Sequence, residues 1–132
     1  MSEIRATTIS NAAGTGPITL TKQSAAKAWA SVDQLSTGHP TYDSLNISST
    51  SDIGTGKTQI TFSTSMDNAD YAIAGAGQAD GSSGGYFSTH GKSGQGSSSK
   101  MTSALFYADN RDNAGGNCDL KYMSFSVHGD LA

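Results

Sequence analysis

The sequence predicts an all-β protein, an antiparallel β-sandwich or jelly roll with an extended N-terminal arm. Two observations carry that expectation. First, the 132 residues include 21 Ser, 14 Thr and 16 Gly but a single Glu, Glu3, and only 14% are charged. A helical bundle needs more Glu, Lys and other straight-chain helix formers than this, whereas β-branched Thr suits strands. Second, roughly eight short segments alternate apolar and polar residues between turn-forming clusters, the spacing of sandwiches and barrels. At 13.5 kDa the chain makes one domain plus an arm, and a domain of this size buries about 65–70% of its unfolded surface.

The elements follow in order. Residues 3–10 (EIRATTIS) and 18–21 (ITLT) alternate on either side of the turn cluster Asn11-Ala12-Ala13-Gly14-Thr15-Gly16-Pro17. Two such strands bury too little to stand alone. Residues 1–23 are therefore expected to form an arm that docks elsewhere through Ile4, Ile9, Ile18 and Leu20. Residues 24–132 form the sandwich. Residues 24–33 (SAAKAWASVD) place Ala28, Ala30 and Val32 on one parity and read as a strand, with 35–40 as a loop. Residues 44–50 (SLNISST) read as one strand with Leu45 and Ile47 on one side. The turn Gly54-Thr55-Gly56 joins it to residues 58–66 (TQITFSTSM), where Ile60 and Phe62 share a face. Residues 71–75 begin the next strand.

Residues 75–99 contain eight Gly and seven Ser, with Tyr86 and Phe87 as an aromatic pair. Such a segment buries too little apolar area to offset its ordering entropy and is expected at the surface, with a short strand at 85–89. Two readings are open for its Tyr86, Phe87, His90 and Lys92. They form an outward receptor contact, or the rings pin the loop to the sheet. Residues 101–108 (MTSALFYA) read as a strand, 109–117 as a polar turn, and 120–128 (LKYMSFSVH) as the last strand, with Met123, Phe125 and Val127 facing the core.

Composition excludes several functions. A net charge of −3 with eight Lys and Arg does not fit binding of nucleic acid by phosphate neutralisation. No apolar run approaches a membrane span, and the first residues lack the apolar core of an export signal. Cys118 is the sole cysteine, so no intrachain disulfide is expected.

Motifs with a chemical reading are weak. Gly54-Thr55-Gly56-Lys57-Thr58 ends like a phosphate-binding loop, but Ser51 stands where the first Gly belongs and a strand follows instead of a helix. Its glycines read as hairpin residues. Asp109, Asn110, Asp112, Asn113 and Asn117 are rich in oxygen but match no calcium loop, and read as turn residues. His39, His90 and His128 lack metal-ligand spacing and read as surface or inter-subunit residues. Paired carboxylates and Ser–His–Asp sets cannot be told apart from background with ten Asp and 21 Ser. Gly91-Lys92-Ser93-Gly94 misses the elbow spacing of a nucleophilic serine by one place. No cofactor or metal is expected, and the chain is not expected to be an enzyme. Trp29, Tyr42, Tyr71, Tyr86, Tyr107 and Tyr122 could build a sugar-stacking platform. Their alternative is core or subunit packing, the heavier reading for Trp29.

Three segments together resemble a known domain. They are residues 4–23 (IRATTISNAAGTGPITLTKQ) leading into Ser24-Ala25-Ala26-Lys27-Ala28-Trp29, residues 43–66 (DSLNISSTSDIGTGKTQITFSTSM), and residues 70–75 (DYAIAG). This ordered set is similar to a β domain of tailed-bacteriophage virion proteins, of the tail-fibre or short-appendage type found in marine phages. The resemblance covers roughly residues 4–75. It departs between Trp29 and Asp43 and at Lys57, where the family often has an acidic residue. It implies a non-enzymatic structural protein assembled in the bacterial cytoplasm and located on the virion. A homotrimer is expected, with the arm on another virion protein and the β domain facing a host glycan or protein. A capsid decoration or cement protein is the alternative, and a small carbohydrate-active enzyme the third reading.

Overall fold

The structure, a computed structural model, describes residues 25–78, 85–86 and 101–132, with the backbone alone at 85–86. The strands within those residues are β1 (Ala28–Val32), β2 (Thr41–Leu45), β3 (Ile47–Gly54), β4 (Lys57–Phe62), β5 (Ala72–Gln78), β6 (Gly85–Tyr86), β7 (Leu105–Asp109), β8 (Arg111–Asp112) and β9 (Tyr122–His128). They form a four-stranded sheet in the order β2-β1-β9-β5, a three-stranded sheet β3-β4-β7 and a small ribbon β6-β8. All pairings are antiparallel. The all-β, antiparallel sandwich expected from the sequence is the fold observed.

The two main sheets face each other across one apolar core. Ala28, Ala30 and Val32 from β1 and Met123, Phe125 and Val127 from β9 form one wall. Ile60 and Phe62 from β4 with Phe106 and Ala108 from β7 form the other. The rings interlock edge to face, with Phe106 and Phe125 centroids 5.1 Å apart and Phe62 and Tyr71 5.5 Å apart. Alternation of apolar and polar residues along β1, β4 and β9 follows directly from the two-residue period of a strand with one buried face. Each fully buried Val, Ile or Phe contributes about 1.5–3 kcal/mol. Leu120, whose parity in a strand over 120–128 would set it on the face opposite Met123, Phe125 and Val127, is fully buried, because β9 begins only at Tyr122.

The segment 44–50 is not one strand. The chain turns a corner at Asn46, whose φ is +57°. Leu45 stays in the four-stranded sheet and Ile47 starts the other. Asn tolerates the left-handed region better than most residues. Here its side chain also ties the corner, accepting from Thr64 N at 2.7 Å and donating to Thr64 O at 3.0 Å. Two residues of the same sequence parity therefore belong to different layers.

Gly54, Thr55, Gly56 and Lys57 close the β3–β4 hairpin, as expected. Gly56 has a φ of +70°, and a Cβ on it would lie 2.5 Å from Asn110 O and 2.9 Å from Cys118 N. The phosphate-loop likeness is thus a tight turn pressed against the segment 110–118.

One end of the sandwich is sealed by a buried polar chain. Asn110 Nδ2 donates to Gln34 Oε1 at 2.7 Å, and the same oxygen accepts from Leu120 N at 2.9 Å. Gln34 Nε2 donates to Thr58 Oγ1 at 2.8 Å, and His39 Nδ1 lies 2.7 Å from that hydroxyl. His39 is therefore interior, not the surface or inter-subunit residue its spacing implied. It is buried because its ring has a hydroxyl partner inside, and buried polar groups are held where such partners exist. Asn110 and Asp109 are likewise buried rather than exposed turn residues. Asp112 does act as a turn residue, accepting from Ala114 N and Gly116 N at 2.9 and 2.7 Å.

Candidate functional site

β1 and β9 are the inner strands of the four-stranded sheet, and their alternate residues face away from the core. The register pairs Trp29 with Leu45 on one side and Ser126 on the other, and Ser31 with Asp43 and Ser124. The outward face therefore carries Trp29 and Leu45 at one end, and Ser31, Ser124 and the exposed Asp43 in its middle. Ser124 and Ser31 hydroxyls lie 3.4 Å apart there. At the other end a register shift in the β1–β2 pair beside Val32 accompanies the placement of Tyr42 next to Tyr122. Bulges of this kind re-aim side chains.

The two tyrosine rings have centroids 5.6 Å apart and an interplanar angle of 32°. Tyr42 is 52% exposed and Tyr122 47%. Large rings left this open cost hydration free energy, yet Tyr42 is firmly held. Its hydroxyl donates to Asp33 Oδ2 at 2.9 Å. Lys121 Nζ donates to the same oxygen at 2.8 Å and sits 6.0 Å from the Tyr42 ring centre. Ser36 Oγ also donates to Oδ2, and Leu35 N to Oδ1, both at 3.0 Å. One nearly buried carboxylate thus collects four donors and fixes a loop, an aromatic ring and a cation. Lys121 and the other donors hold the Asp33 carboxyl well below the ordinary carboxylate range, outweighing the opposing effect of burial. Asp33 in turn holds the Lys121 ammonium above its ordinary range. Burial, followed by the Asp33 hydrogen bond, pushes the Tyr42 phenol upward. Tyr42 therefore stays a neutral donor at any ordinary pH.

The other sequence-derived candidates distribute as follows. Tyr86 lies in β6, its backbone paired with Arg111 of β8, and its side chain is outside the described residues. Phe87, His90 and Lys92 lie outside them too, as do Ile4, Ile9, Ile18 and Leu20 of the arm. Of the aromatic set, Tyr42 and Tyr122 are brought together. Tyr71 is a core residue donating to Thr102 O and Leu105 O, both at 3.0 Å. Tyr107 is half-buried on the other sheet. Trp29 is half-buried on the outward face of β1 rather than in the core. Asp33 and Lys121 had no sequence signal: they are 88 positions apart and meet only through strand register.

The remaining chemistry is muted among the described residues. No three His, Cys, Asp or Glu side chains come together to hold a metal there. His128 Nε2 lies 3.3 Å from Ser126 Oγ, and His39 Nε2 3.7 Å from Asp52 Oδ1. Burial and the nearby Asp112 and Asp119 charges push the Cys118 thiol up, away from the reactive thiolate. Gly81-Ser82-Ser83-Gly84-Gly85 does have the G-x-S-x-G spacing. That device requires a strand running into a helix, and Gly85 opens a strand instead. Compared with known proteins, the chain matches no family model, no curated protein and no solved structure.

Proposed function

We propose that the chain is a non-enzymatic adhesion module: the β-sandwich of a short tail appendage, fibre tip or spike on a phage particle, assembled as a homotrimer. The observation that supports adhesion most directly is the Tyr42–Tyr122 pair. Both rings are about half open to solvent, while Asp33 fixes the Tyr42 hydroxyl. Exposed apolar groups held in one geometry fit binding, because a preorganised surface loses less entropy on contact. The interior amide of Gln34 and the hydroxyl of Thr58 are engaged with each other and with the Asn110 amide nitrogen, which fits packing. The phage setting rests on the sequence resemblance. The trimer rests on that resemblance together with the sheet edges at β2 and β5, which need cover.

Immunogold labelling of particles tests the reading. Label at the tail supports it, and label spread over the shell replaces it with the decoration role. Unlabelled particles overturn both. A chain lacking residues 1–23 should remain folded yet stay off the particle, since the arm is proposed to mount it. Its unfolding would assign the arm to the core.

A further inference from the structure

We infer that the outward face of the β2-β1-β9-β5 sheet binds a neutral oligosaccharide, stacking one sugar ring on Tyr42 and Tyr122 and a second near Trp29. This deepens the adhesion reading and rests on it.

Three observations favour a sugar over a protein. The first is the layout of the face. A protein contact concentrates its apolar anchors at the centre and surrounds them with a polar rim. Here the order is reversed. Tyr42 and Tyr122 lie at one end and Trp29 with Leu45 at the other, and the middle carries Ser31, Ser124 and the exposed Asp43, whose carboxylate can accept from sugar hydroxyls and disfavours an acidic sugar. The ends are four residues apart along β1, or ~14 Å at the strand rise. An oligosaccharide has matching chemistry, with C–H faces on its rings and hydroxyls along its rims.

The second is the ring geometry. Polarised C–H bonds of a sugar face are attracted to the negative face of an aromatic ring. The 32° tilt between the two tyrosines makes a shallow cradle rather than a closed sandwich. Tyr is suited to this because it gives wide contact at little cost in side-chain entropy.

The third is the charge arrangement beside the rings. Asp33 is fully occupied by Lys121, Tyr42, Ser36 and Leu35 and is nearly buried. No bare carboxylate or net charge therefore faces a ligand from this pair. The Lys121 ammonium carries three donors, and Asp33 engages one of them. On a side chain 34% exposed, another can reach a ligand oxygen. A neutral sugar offers that oxygen and brings no charge that the Asp33–Lys121 pair would have to balance.

Saturation-transfer NMR on the full chain, with malto-, cello-, xylo- and manno-oligosaccharides as separate probes, tests the inference. At least one sugar should receive saturation on its ring C–H protons. Tyr122→Ala should weaken that binding by about tenfold, as expected for losing one stacking ring. Tyr107→Ala, on the other sheet, should leave it unchanged, and thermal unfolding should show that both variants are folded. No transfer to any of the four sugars, or transfer that survives Tyr122→Ala, overturns the inference. A second experiment separates this from the adhesion reading. Labelled protein binding to cells that is lost with Tyr122→Ala, but survives periodate oxidation of the cell glycans, assigns the face to a protein receptor. That result overturns the sugar inference and keeps the adhesion module.

Discussion

Replacing Gly56 by Ala should be among the most damaging single-methyl changes in this protein. Gly56 has a φ of +70°, where an L side chain costs about 1–2 kcal/mol. Stiffening the unfolded chain returns up to about 1 kcal/mol of that. Gly38 has a similar φ, +81°, with nothing within 4 Å of its would-be Cβ, so Gly38→Ala isolates the backbone cost at about 1 kcal/mol. At Gly56 the new methyl would also lie 2.5 Å from Asn110 O and 3.0 Å from Cys118 O. These are backbone atoms and cannot swing aside. Overpacking of this kind costs about 1–3 kcal/mol. Relief requires moving the segment 110–118, which stretches Asn110 N to Gly56 O at 2.7 Å and Gly56 N to Asp119 Oδ1 at 2.6 Å. Losing one such bond costs about 1 kcal/mol more.

The total for Gly56→Ala is about 3–5 kcal/mol, against about 5–15 for a whole domain. A domain of this size loses roughly 3–5 °C of melting temperature per kcal/mol, so a drop of about 10–20 °C is expected. Gly116→Ala is the second control. Its methyl would meet only the Asp112 carboxylate, at 3.0 Å, and its backbone needs no left-handed conformation, so it should cost less than about 1 kcal/mol. Urea and thermal unfolding followed by circular dichroism measure all three variants. A Gly56→Ala midpoint matching that of Gly38→Ala would refute the claimed backbone contact, leaving φ as the sole cost.

Two pH effects follow from the same physics. Asp33 has a lowered folded pKa, so its contribution is complete above the ordinary aspartate range near pH 4 and fades as pH falls below it. Asp33→Asn should be less stable at neutral pH, and its stability should depend less on acid than the wild type's. An unchanged acid limb in urea titrations would remove Asp33 as its source. Burial raises the Tyr71 phenol to about 12. Its contribution is complete below the ordinary tyrosine value near 10 and is lost as pH climbs from there toward 12. Tyr71→Phe should flatten that alkaline limb while costing about 1 kcal/mol at neutral pH for its hydroxyl bonds. An alkaline limb identical to the wild type's would contradict the assignment.

What the sequence made legible divides by range. β4 and β9 could be read directly, because Ile60 and Phe62, and Met123, Phe125 and Val127, repeat with the period of a half-buried strand. Gly56 could be read as a turn for the same local reason. Asn46 could not: an Asn inside an alternating run carries no mark that its φ will be positive, so the corner that separates Leu45 from Ile47 stayed hidden. His39 was misread because its partner, Thr58, is 19 positions away in another sheet. The candidate site follows that pattern. Tyr42 and Tyr122 were visible as aromatics, but their adjacency depends on β2 and β9 flanking β1, and Asp33 meets Lys121 only through that register. The register is set on the opposite side of the same strands, where Ala30 lies across from Phe125 in the core. A one-residue slip would turn the core side chains outward and scatter the tyrosine platform at once. The exposed rings therefore inherit their fixed positions from the apolar core beneath them, and changes that loosen Phe125 or Val32 should blur the platform without touching either tyrosine.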